Sequence, residues 1–526
     1  MANFYNIVQR KDIVKVTIFF FLLSVTFLNG QQEQPNIIFI MSDDHAEKAI
    51  SAYTSELLKT PNIDRIANEG MIFRNSFVTN SICGPSRASM LTGKYSSQNK
   101  LRDNRDEFDG TQQTFPKLLQ KAGYQTSVIG KWHLKTEPTG FDNYRVLLNQ
   151  GEYYNPLIWE KGDTNKYIGY TTDLITDFAI DELEKRDKGK PFALLLHHKA
   201  PHRNWMPNPK YFGVFDSIDI PIPKTFYDDY KNRIPAAEAD MKIDDMYIAF
   251  DLKLKKESYE KETGSGGNKQ FAKKSEGYWE NSYDDLTATQ KIAWDSYYDK
   301  VNKDFKSQKL SGKELLEWKY KRYMQDYLAC ILSVDESVGR VLDYLDENNL
   351  TENTIVVYTS DQGFFLGEHG WYDKRWMYEE SFRTPLVIRY PKKIKPSSES
   401  NQFVMNIDYA PTFLEYAGVE IPTDIQGESL KNIFEEKPND DWRKSMYYHY
   451  YEYPHGWHSV RQHYGVRTEK YKLIYFYNMD LWELYDMGND KNEIHNIYDK
   501  MKSCDIVGEL KEELEALRVK YKETDI

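Results

Sequence analysis

Cysteine is scarce in this chain of 526 residues: there are three, Cys83, Cys330 and Cys504. So few cannot build a disulfide scaffold, and a hydrophobic core must hold the fold together. An excess of positive charge is missing too. The formal net charge of −12 excludes binding to nucleic acid driven by its phosphates. An anionic substrate would not be drawn in by the whole molecule either, so any anion site must be locally basic. Long apolar runs are also lacking, and the run from Val16 to Leu28 is short for a membrane span. Arg10, Lys11 and Lys15 precede it and Gly30 follows, so it reads as a secretory signal peptide over residues 1–30. No cysteine follows it for a lipid anchor. The expected product is an exported chain, periplasmic or secreted, beginning near Gln31 and without a membrane span after cleavage. Internal repeats are absent.

Hydrophobic residues make up 40% and charged residues 29% of the chain, which is long enough for a large core and more than one unit. Short apolar runs at 35–41, 126–129, 192–196, 354–358 and 385–389 alternate with helical stretches at 60–70, 115–122, 174–185 and 324–349. A further strand is expected over 72–78. This alternation predicts an α/β sheet, largely parallel and covered by helices on both faces. Residues 204–320 break the pattern. They are rich in Lys, Asp, Glu and Tyr and contain Gly264-Ser265-Gly266-Gly267, which predicts a helical insertion with a mobile loop. β-like runs at 445–451 and 472–477, then a charged helix over 506–521, predict a smaller C-terminal α+β subdomain, 438–526, beside a main unit, 31–437.

The chain is organised around the run from Ser81 to Gly93, SICGPSRASMLTG. Pro85 suits a first helical turn and Gly93 a helix end. Cys83 then sits just before a helix N-terminus, where unpaired N–H groups favour an anion, and Arg87 can return to the same spot one turn later. Asp43 and Asp44 follow the first apolar run, and Asp361 and Gln362 follow the run at 354–358. Ligands in open α/β sheets gather at such strand ends. Adjacent carboxylates repel unless a cation or base neutralises them, and an all-oxygen set selects Ca²⁺ or Mg²⁺ over zinc. Arg87, Lys131, His133, His202 and Lys374 form a basic set. Cations aimed at oxygens that gain charge stabilise a transition state. Lys131 and His133, two apart, share a face if their segment is extended.

Cys-x-Pro-Ser-Arg followed by Leu-Thr-Gly resembles the signature of the type I, formylglycine-dependent sulfatases. The runs Tyr358–Trp371, Gly465–Thr468 and Tyr471–Ile474 look like secreted bacterial glycan sulfatases, either N-acetylglucosamine-6-sulfatase-like or ulvan-active. The resemblance implies an alkaline-phosphatase-like sulfatase fold, with a large mixed sheet, and hydrolysis of sulfate esters on a polysaccharide or oligosaccharide. It implies that a formylglycine-generating or sulfatase-maturating enzyme converts Cys83 to 3-oxoalanine. It implies one Ca²⁺, with Mg²⁺ as the alternative, on Asp43, Asp44, Cys83, Asp361 and Gln362. The catalytic set it implies is Cys83, Arg87, Lys131, His133, His202 and Lys374. The hydrated aldehyde attacks sulfur, His202 or Lys374 protonates the leaving oxygen, and His133 helps the second hydroxyl expel sulfate. With 40 Tyr and 11 Trp the chain has aromatic faces suited to sugars, although most belong to the core. His369, Arg375 and His458 are the substrate-binding candidates, with Trp371, Tyr453 and His455 beside them. Two rivals stand: a phosphate or phosphonate monoester hydrolase of the same fold, using Thr or Ser and a transition-metal pair, and a catalytically silent glycan-binding protein, which a missing motif residue would favour.

Overall fold

The computed structural model describes residues 34–255, 258, 269–437 and 441–523. The expected signal peptide and the loop at Gly264 lie outside the described residues. The strand Asn36–Ser42 is buried along its whole length. Ile38 and Ile40 enter one core while Ile37, Phe39 and Met41 enter another, which is why this strand reads as a continuous apolar run. It lies in the middle of a ten-stranded sheet. Thr354–Ser360, Asn36–Ser42, Phe192–His197, Gln125–Lys131 and Asn143–Leu147 run parallel, in that order. Leu386–Arg389 flanks them antiparallel on one side, and the hairpin Leu157–Glu160 with Asp163–Lys166 on the other. Met71–Phe73 and Ser398–Ser400 complete the edge.

The strand expected over 72–78 is two. Met71–Phe73 joins the large sheet, and Ser76–Phe77 pairs with Val404–Met405 in a separate ribbon. Arg74 and Asn75 break the run because their side chains turn outward, to Glu399 and to the Asn401 carbonyl.

Helices Pro61–Asn68, Thr171–Lys185 and Gly312–Glu347 cover one face of the sheet; Cys83–Thr92, Phe115–Lys121 and Tyr409–Tyr416 cover the other. The long helix starts at Gly312 rather than Met324: its first turn is exposed and charged, but Leu316, Trp318, Tyr320 and Tyr323 in the turns that follow already pack on the main core. Before it lie Lys269–Asp284 and Ala288–Gln308, the latter capped by Thr287 through Gln290. Cys330 is buried in the long helix as a free thiol, and Cys504 is exposed. Towards the C-terminus four antiparallel strands, Ser445–Tyr450, His463–Thr468, Tyr471–Phe476 and Leu481–Asp486, pack on Asp505–Lys520 through Val507, Leu510, Leu514 and Leu517. Phe77, Ile82, Trp376 and Phe382 share that core, so this sheet backs the segment that delivers Cys83.

Candidate active site

The site follows from register. Asn36–Ser42 and Thr354–Ser360 pair in step, ending at Ser42 opposite Ser360. The next residues of both strands therefore leave the sheet side by side. The Asp361 N–H donates to the Ser42 carbonyl (3.1 Å) and the Asp44 N–H to Asp361 Oδ1 (3.2 Å). Asp44 takes a left-handed conformation, φ 65°, that turns the chain back. Carboxylate oxygens of Asp43, Asp44 and Asp361 lie within 4.8 Å of one another, all buried. Gln362 donates through Nε2 to Asp44 Oδ1 (2.5 Å), and its Oε1 is buried with no hydrogen-bond partner.

Cations surround this oxygen cluster. Cys83 is the first residue of its helix, one position further in than the sequence suggested, and Gly93 ends the helix at φ 67°. The Cys83 Sγ–H donates to Asp43 Oδ1 (3.5 Å). Arg87 donates through Nε and Nη2 to Asp361 Oδ2 (3.1 and 2.9 Å) and through Nη1 to the Lys131 carbonyl (2.7 Å). Lys131 ends its strand with its ammonium on Asp43. Lys374 Nζ reaches both Asp44 oxygens at 2.6 Å. His202 Nε2 stands 3.8 Å from Asp44 Oδ2, and its Nδ1–H donates to the Arg203 carbonyl (2.5 Å).

His133 corrects the expectation of an extended segment. The strand stops at Lys131, and His133 has φ 56°. Its ring is nonetheless enclosed by the same charges, with Nδ1 unpartnered. Burial, then Lys131, hold His133 and His202 well below the usual imidazole range, so both rings are neutral. Burial opposes the charge of Lys374, but Asp44 outweighs it and holds the ammonium above its ordinary range. Burial pushes the Cys83 thiol up to about 12, so the unmodified side chain is a protonated thiol at neutral pH and a poor nucleophile.

A second set adjoins Lys374. Asp373 forms an ion pair with Arg375, accepts from the Lys374 N–H at Oδ1 (2.8 Å), and holds His458 Nε2 at Oδ2 (3.1 Å). Arg375 and His458 are thus brought to the cluster through Asp373, a residue not singled out from the sequence although it directly precedes Lys374. Lys199 was also missed. It is buried, its Nζ lies 5.0 Å from the Tyr153 ring centre, and its carbonyl accepts from the His202 N–H (2.9 Å). His369 and Trp371 are corrections. Both are fully buried; His369 Nδ1 is 2.7 Å from Asp228 Oδ2 and its ring packs on Phe365 and Tyr378, so neither residue lines an open subsite. Tyr453 stacks on Arg461, and His455 is exposed nearby.

An all-oxygen cluster with an unpartnered Gln362 Oε1 fits a hard cation. Both metal-competent groupings among the described residues share Asp43, so they define a single site. Carboxylates at two strand ends, a cysteine at a helix start and a ring of Lys, Arg and His define a hydrolase of anionic esters.

Family comparison fixes which. The chain belongs to the sulfatase family: the sulfatase model matches residues 35–419, and the model described as N-sulphoglucosamine sulphohydrolase, C-terminal, matches 367–520. It is therefore a sulfuric ester hydrolase with the alkaline-phosphatase-like sulfatase fold. The chain is 51% identical over 509 residues to the N-acetylglucosamine-6-O-sulfatase of Bacteroides thetaiotaomicron, covering 94% of this chain and 89% of that one. Human N-acetylglucosamine-6-sulfatase is 26% identical, over 79% of this chain and 67% of its own. A solved protein in complex with its substrate D-glucosamine-2-N,6-O-disulfate matches with a TM-score of 0.88 at 50% identity, covering 94% of this chain and 99% of that one.

Proposed function

We propose that this sulfatase removes the 6-O-sulfate of glucosamine-type residues in sulfated glycans, using Cys83 converted to formylglycine and one Ca²⁺, with Mg²⁺ as the alternative. The observation that carries the reading is Cys83 held on Asp43 amid the three carboxylates and Arg87, Lys131 and Lys374. The Bacteroides relative supports a glucosamine 6-O-sulfate over ulvan. Asp43, Asp44, Asp361 and Gln362, with the modified Cys83, would hold the ion. The aldehyde hydrate would supply the nucleophilic oxygen, and the cation would supply positive charge toward the sulfate.

The chain's own side chains do the rest. Arg87 locks Asp361 to the end of the Lys131 strand, fixing the distance between the two sides of the pocket. Lys131 and Lys374 place ammonium groups where ester oxygens gain charge as the S–O bond breaks. Lys374, whose ammonium is held charged by Asp44, donates the proton to the leaving oxygen; His202, with its Nδ1–H on the Arg203 carbonyl, shares that role only when Nε2 also carries a proton. His133 presents its unpartnered Nδ1 as the acceptor of a proton during sulfate release. The chain is exported by residues 1–30, acts in the periplasm or outside the cell, and depends on a maturating enzyme. No helix among the described residues is long and apolar enough to cross a membrane.

The test is free sulfate released by enzyme co-expressed with a maturating enzyme. N-acetylglucosamine-6-sulfate and D-glucosamine-2-N,6-O-disulfate should be desulfated, and ulvan and carrageenan oligosaccharides should not. Cys83→Ala should lower turnover by roughly 10⁴-fold or more. Mass spectrometry showing unconverted Cys83 in fully active enzyme would overturn the mechanism.

A further inference from the structure

Arg203 follows His202 and is buried. It donates through Nε and Nη2 to Asp251 Oδ1 and Oδ2, each at 2.7 Å. Its guanidinium carbon lies 5.0 Å from the ring centre of Tyr372, 5.2 Å from Tyr247, and 5.3 Å from both Phe250 and Trp457. These rings come from three separate stretches of chain. Tyr247, Phe250 and Asp251 belong to the segment before the two insertion helices. Tyr372 directly precedes Asp373 and Lys374, and Trp457 directly precedes His458. The Tyr372 and His458 rings also meet edge to face, centroids 5.3 Å apart.

We propose that Arg203 is the positioning residue that sets the Asp373–His458 pair against the sulfate pocket, and so decides how well the sugar is read. Only a planar, permanently charged fork can bind a carboxylate with two bonds while presenting its faces to aromatic rings, so lysine is no substitute. The sulfate side has its own ties: Arg87 to Asp361, and Lys374 to Asp44. The sugar side depends on how Tyr372 and Trp457 are seated, because each carries a reading residue one position on. His458 Nδ1 also meets the Asp240 carbonyl (2.9 Å) and the Phe250 ring stacks on Trp457, so loss of the fork loosens the seating of the insertion on the Trp457 loop without severing it, and leaves the sulfate ties in place.

This inference rests on the glucosamine 6-O-sulfate reading, and the experiment separates the two. D-glucosamine-2-N,6-O-disulfate serves as substrate, and inorganic sulfate as an inhibitor that reports the sulfate pocket alone. In Arg203→Lys, KM for the sugar should rise at least tenfold while the inhibition constant of sulfate changes less than threefold. Asp251→Asn, which keeps one acceptor, should shift KM in the same direction by less, and it carries the same ratio if Arg203→Lys does not fold. Equal changes in KM and in sulfate inhibition, or no change in either, would overturn the role of Arg203. No turnover of the sugar by the unsubstituted, matured enzyme would overturn the substrate reading and this inference with it.

Discussion

The catalytic cluster and the C-terminal sheet both bury charge, but on different terms. Beneath the sheet Glu379 faces Arg383 at 2.6 Å, Lys472 at 2.9 Å and Arg467 at 3.0 Å, and Lys472 also meets Glu493 at 2.7 Å. His463 donates through Nδ1 to the Arg461 carbonyl (2.7 Å) and accepts at Nε2 from the Met377 N–H (3.1 Å). Each of these groups has its partner within the protein. In the catalytic cluster three carboxylates crowd together while His133 Nδ1 and Gln362 Oε1 are buried with none. An unpartnered buried polar group costs about 1–3 kcal/mol. Burial of charge is therefore common to both regions, and so are single unpartnered atoms, Glu483 Oε1 and Tyr450 OH among them; what marks the site is three crowded carboxylates with unpartnered groups beside them, where substrate and cation would supply the partners.

Removing a carboxylate from each kind of network tests this most strongly at the site. Asp361→Ala takes away the main partner of Arg87 and one wall of the oxygen cluster. Turnover should fall by about 10³-fold or more, with bound calcium, read by elemental analysis, falling in parallel. Stability should fall by less than the about 3–5 kcal/mol of a broken buried pair, because Arg87 keeps Asp43 and the substitution relieves crowding among like charges. A collapse in melting temperature with normal turnover per folded molecule would make the cluster structural, like the sheet, and erase the contrast.

Lys472→Met should do the reverse. It leaves Glu493 without its cation and Glu379 with two of three. Breaking a buried ion pair costs about 3–5 kcal/mol. Urea denaturation should show that loss, while sulfate release per folded molecule stays within about twofold. Intact stability with reduced turnover would show that this network serves the site directly.

The same contrast explains what the sequence disclosed. Asp43, Asp44, Asp361 and Gln362 were legible because each pair ends a continuous apolar strand, and parallel register does the rest. Cys83 and Arg87 were legible because one helical turn separates them. Asp373, Lys199 and Arg203 were not, because their partners come from distant stretches of chain and no local spacing encodes such contacts. His369 misled because its neighbours in sequence match the family run while its side chain is committed to Asp228 in the core. The hairpin Leu157–Glu160 with Asp163–Lys166 escaped notice because its second strand is wholly exposed and carries no apolar alternation. Two C-terminal strands, His463–Thr468 and Leu481–Asp486, were missed because His, Arg, Glu and Asp interrupt their apolar pattern, although most of those groups are buried or paired.

The smallest expected effect concerns His463, a buried histidine whose partners are complete. Burial pushes its ring down to about 3 from 6.5. The geometry gives the reason a second time, since Nε2 must accept from the Met377 N–H and a protonated ring could not. The folded form keeps the ring neutral, and the unfolded chain takes up a proton below pH 6.5. The contribution to stability is therefore whole above pH 6.5 and is lost as pH falls from 6.5 toward about 3, by about 1.4 kcal/mol per pH unit. The other buried histidines held down by burial, His45, His133, His197, His198, His202 and His449, add parallel slopes, so the share of His463 must be separated from theirs. Urea midpoints at pH 7.5, 6.5, 5.5 and 4.5 for the unsubstituted chain and His463→Gln do this. Glutamine cannot titrate, so the unsubstituted chain should lose stability more steeply below pH 6.5 by that amount, and the two curves should run parallel above it. Parallel curves throughout would mean that the sheet accommodates a charged ring, and that its hydrogen bonds are less closed than those partners imply.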